Sequence, residues 1–333
     1  TKDAGETSIG DTAGWLINCL PLGNVNVLYK EDSVHAMRLI GGTKVFDFYA
    51  ITEESGLLAQ RALANFPGGQ VFLAHNDIAM TDGRAPISLT DGRLRQWIEN
   101  NLDKDNVSKS FAVHYRRKGK VLFCIPTTGV TFPNVAIEWD YSRNGFTVRD
   151  LSEIAHIAPA AFNPSATGDP WDPDSQAWDA DSGLWDQKNF GLTGPDLWLA
   201  KPGADKKILR LDDTELEDGS LMTAYVERTG LSIIGRDRTG EPKADINSEK
   251  LVRGIRPRMK ATGHVHVYLA EQMEIQRDAP VKWHGPFTFD PVNGQLEVNH
   301  VVTTRLVGYR IESDADIHWE LDGLDIDVEV LGG

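Results

Sequence analysis

The strongest constraint on the fold is an internal repeat of strand-like segments. Residues 71–83 have a weaker copy at residues 27–37, and the two align without a gap at a shift of 44 residues, with Val27 on Val71. Each copy is an apolar run, a polar turn and an alternating segment, which is typical of two antiparallel strands joined by a tight turn. The repeat therefore predicts two β-hairpins.

A third unit of strand-like runs follows about one period later. Its four short runs, separated by Gly, Pro and Asn turns, lie at 111–115, 120–125, 134–140 and 145–148. Meanders repeated every 40 to 50 residues or so are typical of β-propeller blades, which bury their faces only against neighbouring blades. We therefore predict an all-β fold with β-propeller-like blades over residues 11–155; chance resemblance among short hairpins is the alternative. Because a propeller needs about four to eight blades, we expect more of them upstream of Thr1.

Shorter patterns predict the details of this region. The run 11–20 predicts a strand with Trp15 in the core, and residues 56–64 predict a short helical turn. Residues 93–102 place Leu, Trp and Ile at helical spacing, which predicts an amphipathic helix between blades. Cys19 and Cys124 lie in apolar, strand-like surroundings, so we expect both to be buried thiols.

Four basic residues crowd the turn between the first two runs of the third unit: Arg116, Arg117, Lys118 and Lys120. A hairpin tip leaves long charged side chains hydrated, so a solvated turn is the simple interpretation. A contact with an acidic neighbouring subunit is the alternative.

Residues 156–195 differ in composition from the rest of the chain. Trp171, Trp178 and Trp185 recur at seven-residue steps, and each is followed directly by Asp. The surrounding Pro and Gly residues argue against a helix, and three tryptophans are too much apolar surface to leave in water. This segment is therefore predicted to be an ordered arm whose tryptophans form a candidate interface with its own or a neighbouring protomer.

The remaining sequence returns to strand-like patterns. Residues 196–215 predict one further blade hairpin, and residues 216–333 predict a β-sandwich domain of short alternating runs. In the last run, Leu324, Ile326, Val328 and Val330 are predicted to face inward. Residues 311–333 hold eight acidic residues and no Lys or Arg, which predicts a strongly negative face.

The charge balance limits the possible partners. The formal net charge is −15, from 34 basic and 49 acidic residues. A protein that binds nucleic acid phosphates needs a basic surface. This acidic balance instead favours repulsion of polyanions, solubility of the protein, or the lining of a passage through which a polyanion moves without binding. The sequence shows neither an apolar run near 18 residues nor a basic-then-apolar leader, so we predict no transmembrane helix and no signal peptide.

One group of residues suggests chemistry. His264 and His266 alternate on a predicted strand, and Glu271 follows, so together they could form a metal site like the first motif of cupins. The glycine expected before the first histidine is Arg258. The second cupin motif is only loosely matched, by Pro291, Gly294 and His300. A cupin-like metal-dependent enzyme is thus an alternative function.

Other catalytic templates do not match. We find no Gly-x-Ser-x-Gly elbow, phosphate-binding loop or Cys-x-x-Cys pair. Asp179, Asp181 and Gly183 match a calcium loop only partly, because the glycine is one place early and no closing glutamate follows. Our prediction is a protein that is not an enzyme, with no catalytic residues, no metal and no cofactor.

Several features follow one another in a fixed order along the chain. They are Asn76, Asp77, Asp82 and Gly83, then segments 139–141 and 146–150, then the Trp-Asp repeats, and then segments 309–312 and 319–323. This order of parts, which covers roughly residues 15–330, resembles that of a known family, the nozzle (tail tubular B-like) proteins of short-tailed bacteriophages.

The resemblance implies a β-propeller platform with a β-sandwich, assembled as a usually six-fold homo-oligomeric ring in the virion tail. Such a ring lies below the portal and adaptor, extends the DNA exit channel, retains and then releases packaged DNA, and supports fibres or a tip. The family supplies no catalytic residues that match this chain, which is much shorter than a typical nozzle. A carbohydrate-binding tail adhesin is a further alternative.

Overall fold

The computed structural model describes residues 8–41, 45–160, 196–203, 207–212, 216–217, 220–236, 242–275 and 280–331. The chain forms two compact units, Thr1–Leu211 and Asp212–Gly333. Both consist mainly of antiparallel strands, so the predicted all-β class is confirmed.

Three consecutive four-stranded sheets build most of the first unit, each pairing its strands in chain order. The first sheet is β1 Leu16–Leu22, β2 Val25–Lys30, β3 Val34–Leu39 and β4 Phe46–Thr52. The second is β5 Leu63–Phe66, β6 Gly69–Ala74, β7 Asp77–Thr81 and β8 Ile87–Ser88. The third is β9 Phe111–Tyr115, β10 Lys120–Ile125, β11 Val135–Asp140 and β12 Gly145–Asp150. The predicted meander at 111–148 is confirmed.

Helices and turns connect these sheets. The predicted helix is confirmed as α1 Gly92–Asn101, capped by the Asp91 carboxylate, which accepts from the Leu94 amide. Short 3₁₀ turns lie at Val107–Lys109 and Arg116–Lys118.

Both predicted hairpins are present, as β2–β3 and β6–β7. Val27 and Val71 occupy corresponding second strands and are fully buried. The second hairpin turns through Asn76 at a φ of 57°, a conformation that Asn tolerates better than most residues. At the start of β6, Gly69 has a φ of 137°, and a Cβ there would collide with the carbonyl oxygen of Thr81. Glycine is therefore required at this point.

The sheets of the first unit stack face to face in chain order. On one face of the second sheet, Phe72 packs edge-on against Tyr29 of the first sheet at 5.0 Å between ring centroids. On its other face, Phe66 packs against Trp139 of the third sheet at 5.1 Å. Sheets covered on both sides have no solvent face, which is why β6, apart from Gln70, and most of β10 are apolar rather than alternating.

The third sheet in turn packs against a fourth, three-stranded sheet. The fourth sheet comprises β13 His156–Ala160, β14 Asp196–Ala200 and β15 Ile208–Arg210. Phe111 and Leu122 from the third sheet share a core with Ile157, Leu197 and Leu199 from the fourth. Two strands of this sheet lie in the region predicted to return as a blade hairpin after the arm.

In its described residues, the second unit contains two larger sheets and two short hairpins. The hairpins are β16 Leu216–Glu217 with β17 Ser220–Leu221, and β19 Ile233–Arg236 with β20 Pro242–Asp245. The fifth sheet has the order β18-β25-β22-β23, and the sixth has the order β24-β21-β26. Their strands are β18 Ala224–Leu231, β21 Lys250–Ala261, β22 Val265–Gln272, β23 Lys282–Phe289, β24 Val298–Thr304, β25 Leu306–Ser313 and β26 Trp319–Val330.

The fifth and sixth sheets contribute to one hydrophobic core. Val252 and Ile255 of the sixth sheet lie in the same buried cluster as Val267 and Ile311 of the fifth. In β26, Leu324, Ile326 and Val328 pack against this core as predicted. The prediction for Val330 is wrong: it ends the strand and is 46% exposed.

The prediction of a strongly negative C-terminal face needs correction. The acidic residues of β26 alternate outward beside the outward basic residues of β21, because the two strands pair along nearly their whole length. Arg253 forms an ion pair with Glu329, and Arg258 Nε lies 3.7 Å from Asp325 Oδ2. Strand pairing thus produces a ladder of mixed charge.

Three predictions for the first unit are wrong. Trp15 precedes β1 and is 79% exposed rather than buried. Residues 56–64 form no helix, because the amides of Leu57 and Leu58 bond to carbonyls in the first and second sheets. Cys19 is exposed, since it points away from the face that carries Leu20 into the core, whereas Cys124 is buried as predicted.

The predicted arm falls mostly outside the described residues. Trp171, Trp178 and Trp185 all lie in the segment 161–195, so their role as an interface stays a prediction.

Candidate functional site

The structure does not bring together the three residues of the alternative metal site. The rings of His264 and His266 lie 5.7 Å apart between centroids. Glu271 binds elsewhere: its Oε2 atom is 3.0 Å from Lys282 Nζ and 2.7 Å from His284 Nε2. Among the described residues, no group of three His, Cys, Asp or Glu side chains is placed to hold a metal ion.

Strand geometry explains this outcome. His266 and Glu271 are five positions apart on β22, and an odd separation along a regular strand places side chains on opposite faces. Glu271 therefore points to the neighbouring strand β23, where Lys282 and His284 lie. Hydrogen bonds from Lys282 and then His284 hold the pKa of Glu271 below its usual value.

The structure instead brings tyrosine, arginine and glutamate side chains together on the outer face of the fifth sheet. Tyr225 pairs with Glu312, and Glu227 pairs with Arg310, across β18 and β25. On the other side of β25, Arg310 pairs with Tyr268 of β22. We call these five residues the tyrosine–arginine face.

The polar contacts on this face centre on Arg310 and Glu312. Arg310 Nη2 lies 2.5 Å from Glu312 Oε2, and the Tyr268 hydroxyl donates to Glu312 Oε1 at 2.6 Å. That hydrogen bond is the main cause that raises the pKa of Tyr268. The Arg310 guanidinium also lies 4.5 Å from the ring centroid of Tyr225, within the range of a cation–π contact.

The face retains both apolar surface and hydrogen-bonding capacity. Tyr225 is 56% exposed. The side chains of Arg310 and Glu227 beside it are 31% and 35% exposed. A flat ring beside nitrogen donors and carboxylate acceptors suits a ligand with many hydroxyl groups and an apolar flank, such as a sugar.

A cavity of about 270 Å³ lies near the same end of β18 and β25. Ala224 and Ser313 in its lining form the strand pair next to Tyr225 and Glu312, and adjacent strand positions face opposite sides of a sheet, so the cavity does not belong to the tyrosine–arginine face. Its full lining is Met222, Ala224, Ser313, Ala315, Ile317, His318 and Trp319.

Sequence reasoning missed this face. The available signal was the alternation of polar and apolar residues in three strands, for example Tyr225 and Glu227 on either side of Val226. Alternation shows which residues share a face of one strand. It does not show that strands more than 70 residues apart, such as β18 and β25, lie side by side.

A second polar cluster, in the first unit, resembles a catalytic pair but is buried. Ser33 Oγ lies 3.2 Å from His35 Nε2, and Thr12 Oγ1 lies 2.7 Å from Ser33 Oγ. Lys30 Nζ donates to the carbonyl of Ile9 at 3.1 Å and to that of Thr12. Ser33 and His35 are at most 1% exposed, so no substrate reaches them. The cluster fastens the segment before β1 to the first sheet.

No protein-family model matches the chain, and no curated protein matches it significantly. Among the helices in the described part of the chain, none has the length and apolar character needed to cross a membrane.

Proposed function

We propose that this protein is a structural component of a bacteriophage tail, a subunit of a ring that extends the DNA exit channel. The ring helps to retain packaged DNA and then to release it. The observation that carries the proposal is the stack of four-stranded meanders in the first unit, each sheet packed on the next in chain order. The order of parts resembles that of the nozzle proteins.

The stacked sheets suit the rigid wall of a channel. Each inner sheet is buried on both faces, so one sheet cannot move without disturbing the close packing of its neighbours. We propose that these sheets are blades of a β-propeller and that the two sheets of the second unit form a β-sandwich.

The acidic balance of the chain suits such a channel. A net charge of −15 repels DNA phosphates, so DNA would pass without binding to a particular sequence. The partners in this proposal are further copies of the chain in a six-fold ring, the portal and adaptor, and fibre or tip proteins. Its location is the virion tail.

Native mass spectrometry and analytical ultracentrifugation of the full chain test the proposal. We expect a closed homo-oligomer, and we expect virion proteomics of a phage encoding the chain to find it in tails. A protein that stays monomeric under all assembly conditions and is missing from virions contradicts the proposal.

Carbohydrate binding is a second candidate function, favoured by the tyrosine–arginine face. Tyr225 offers an exposed ring, and the partly exposed side chains of Arg310 and Glu227 offer a donor and an acceptor beside it. Glycan-array binding of the full chain should be lost in Tyr225→Ala. Tyr49→Ala is the matched control, because Tyr49 is a 40% exposed tyrosine in the other unit. Equal binding by both variants, or none by the parent protein, excludes this face as a sugar site.

A further inference from the structure

The turns that connect the strands of the third sheet lie at two opposite ends of the sheet. Lys120 pairs with Tyr115 on one side and with Asp140 on the other, and Asp140 pairs with Gly145. The turns that follow Tyr115 and Asp140 therefore emerge together. The long connection from β10 to β11 emerges at the opposite end.

The second sheet is aligned with the third. Phe66, at the tip of the β5–β6 hairpin, lies 5.6 Å from Tyr141 between ring centroids. Gln70 of β6 pairs with Thr81 of β7, so the turn at 82–86, which follows Thr81, lies at this same end. Hairpin tips of consecutive sheets thus form one surface.

This surface is mainly basic. Asp140 accepts hydrogen bonds from the amides of Ser142 and Arg143 in its own turn, and Asp196 binds Arg117 and Arg210. Burial alone would raise the pKa of Asp196, but these two arginines bring it below its usual value. We call the surface the basic end; among the described residues its exposed basic side chains are Arg84, Arg116, Arg117, Lys118 and Arg143, and Asp82 is an exposed carboxylate on the same surface.

The opposite end of the same sheets is mainly acidic. Three contacts show that the loops of successive sheets meet there. His75 Nε2 is 3.8 Å from Asp32 Oδ1, and Arg95 Nη2 is 3.1 Å from Asp77 Oδ2. The Thr128 amide donates to the carbonyl at the end of α1. We call this surface the acidic end; its exposed acidic residues include Asp32, Glu53, Glu54, Asp91, Glu99, Asp105 and Glu153, and they outnumber the exposed basic residues Arg61, Arg93, Arg95 and Lys104 on the same loops and helix.

From this polarity we propose that the basic end of one protomer docks against the acidic end of a second copy, and that this is the contact that builds the ring. The inference rests on the proposed function and names the surfaces that function would use. A contact between two different surfaces of one chain is heterologous, and it produces a closed ring when its rotation closes. Opposite charges at the contact also offset the repulsion between copies of an acidic chain.

The physics of exposed charges makes the contact sensitive to salt. Single exposed ion pairs contribute about 0 to 1 kcal/mol, so the contact depends on several charges acting together. Screening shortens their range from about 10 Å at 0.1 M salt to about 3 Å at 1 M. Assembly should therefore weaken steeply over this range.

Charge reversal in the full chain tests the contact. The basic-end variant is Arg116→Glu, Lys118→Glu and Arg143→Glu, and the acidic-end variant is Glu53→Lys, Glu54→Lys and Glu99→Lys. We expect each variant alone to self-associate at least tenfold more weakly in sedimentation, and an equal mixture of the two to assemble again. The control reverses Arg228, Arg258 and Lys260 to Glu in the second unit and should assemble normally. Circular dichroism verifies that every variant is folded.

The outcomes separate this inference from the proposed function. Rings that form equally well from all variants overturn the docking surfaces and leave the proposed function standing. A parent protein that never assembles overturns both. If the basic-end variant instead loses binding to a DNA duplex while self-association is unchanged, the basic end binds nucleic acid and the inference is wrong.

Discussion

The two units use strands in opposite ways. In the first unit, strands pair with their neighbours along the chain, as in β9 to β12. In the second, the fifth and sixth sheets draw their strands from alternating parts of the sequence, so that β18 pairs with β25 and β21 with β26. Local pairing leaves a repeat in the sequence, whereas long-range pairing leaves no such mark and closes longer loops during folding.

Both units nevertheless bury a lysine in the same manner. Lys30 fastens the segment before β1. Lys250 is fully buried, and its ammonium donates to the carbonyls of Asp245, Ser248 and Arg305 at 2.7, 3.0 and 2.8 Å. A buried lysine therefore holds the segment before β1 in the first unit and joins distant loops in the second unit.

The largest expected effect comes from removing a core aromatic ring in each unit. Phe72→Ala and Phe289→Ala each remove a ring that is at most 1% exposed, which should cost about 3 to 5 kcal/mol of unfolding free energy. Hydrogen exchange followed by mass spectrometry should show faster exchange mainly in the unit that carries the change. Equal acceleration throughout the chain would mean that the two units unfold as one.

The next largest effect is expected from replacing each of the two buried lysines. Lys250→Met leaves three carbonyls without their charged donor and should cost about 3 kcal/mol or more. Lys30→Met should cost less, because the segment 9–12 can detach and become hydrated, with fast exchange confined to that segment. Urea denaturation of both variants gives the ranking, and a larger loss for Lys30→Met contradicts it.

A smaller effect should depend on pH in the first unit. Burial and then the charge of Lys30 lower the pKa of His35, and burial lowers the pKa values of His114 and His156. As the pH falls, these histidines bind protons in the unfolded chain before they do so in the folded chain. The unfolding free energy is therefore not reduced by them above about pH 6.5, and it decreases as the pH drops toward the lower folded pKa values. His35→Gln should reduce the slope of melting temperature against pH over this window. An unchanged slope would show that His35 does not contribute to the pH dependence of stability.

The smallest effect should come from the charge ladder of the sixth sheet. Arg253 and Glu329 form an ion pair in which both side chains are more than half exposed. Arg253→Gln should therefore change the unfolding free energy by less than about 0.5 kcal/mol. A loss above 1 kcal/mol or so in urea denaturation would show that the ladder acts as a coupled network.

Sequence reasoning succeeded where the deciding contacts are local. The hairpins, the third meander and α1 follow from turn residues, alternation and helical spacing within short windows. It failed for Trp15 and for residues 56–64, because apolar composition there predicted burial or a helix. In the structure, Leu57 and Leu58 use their amides to bond distant strands instead.

The sequence by itself determined the strand class, the repeat and the net charge, because these depend on residue types and spacing within one segment. Only the tertiary structure decided which segments lie side by side. Pairing of β21 with β26 turned an acidic run into a ladder of mixed charge, and β23 drew Glu271 away from His264 and His266. The tyrosine–arginine face and the two charged ends have the same origin, since each combines residues that are far apart in sequence and adjacent only through strand register or sheet stacking.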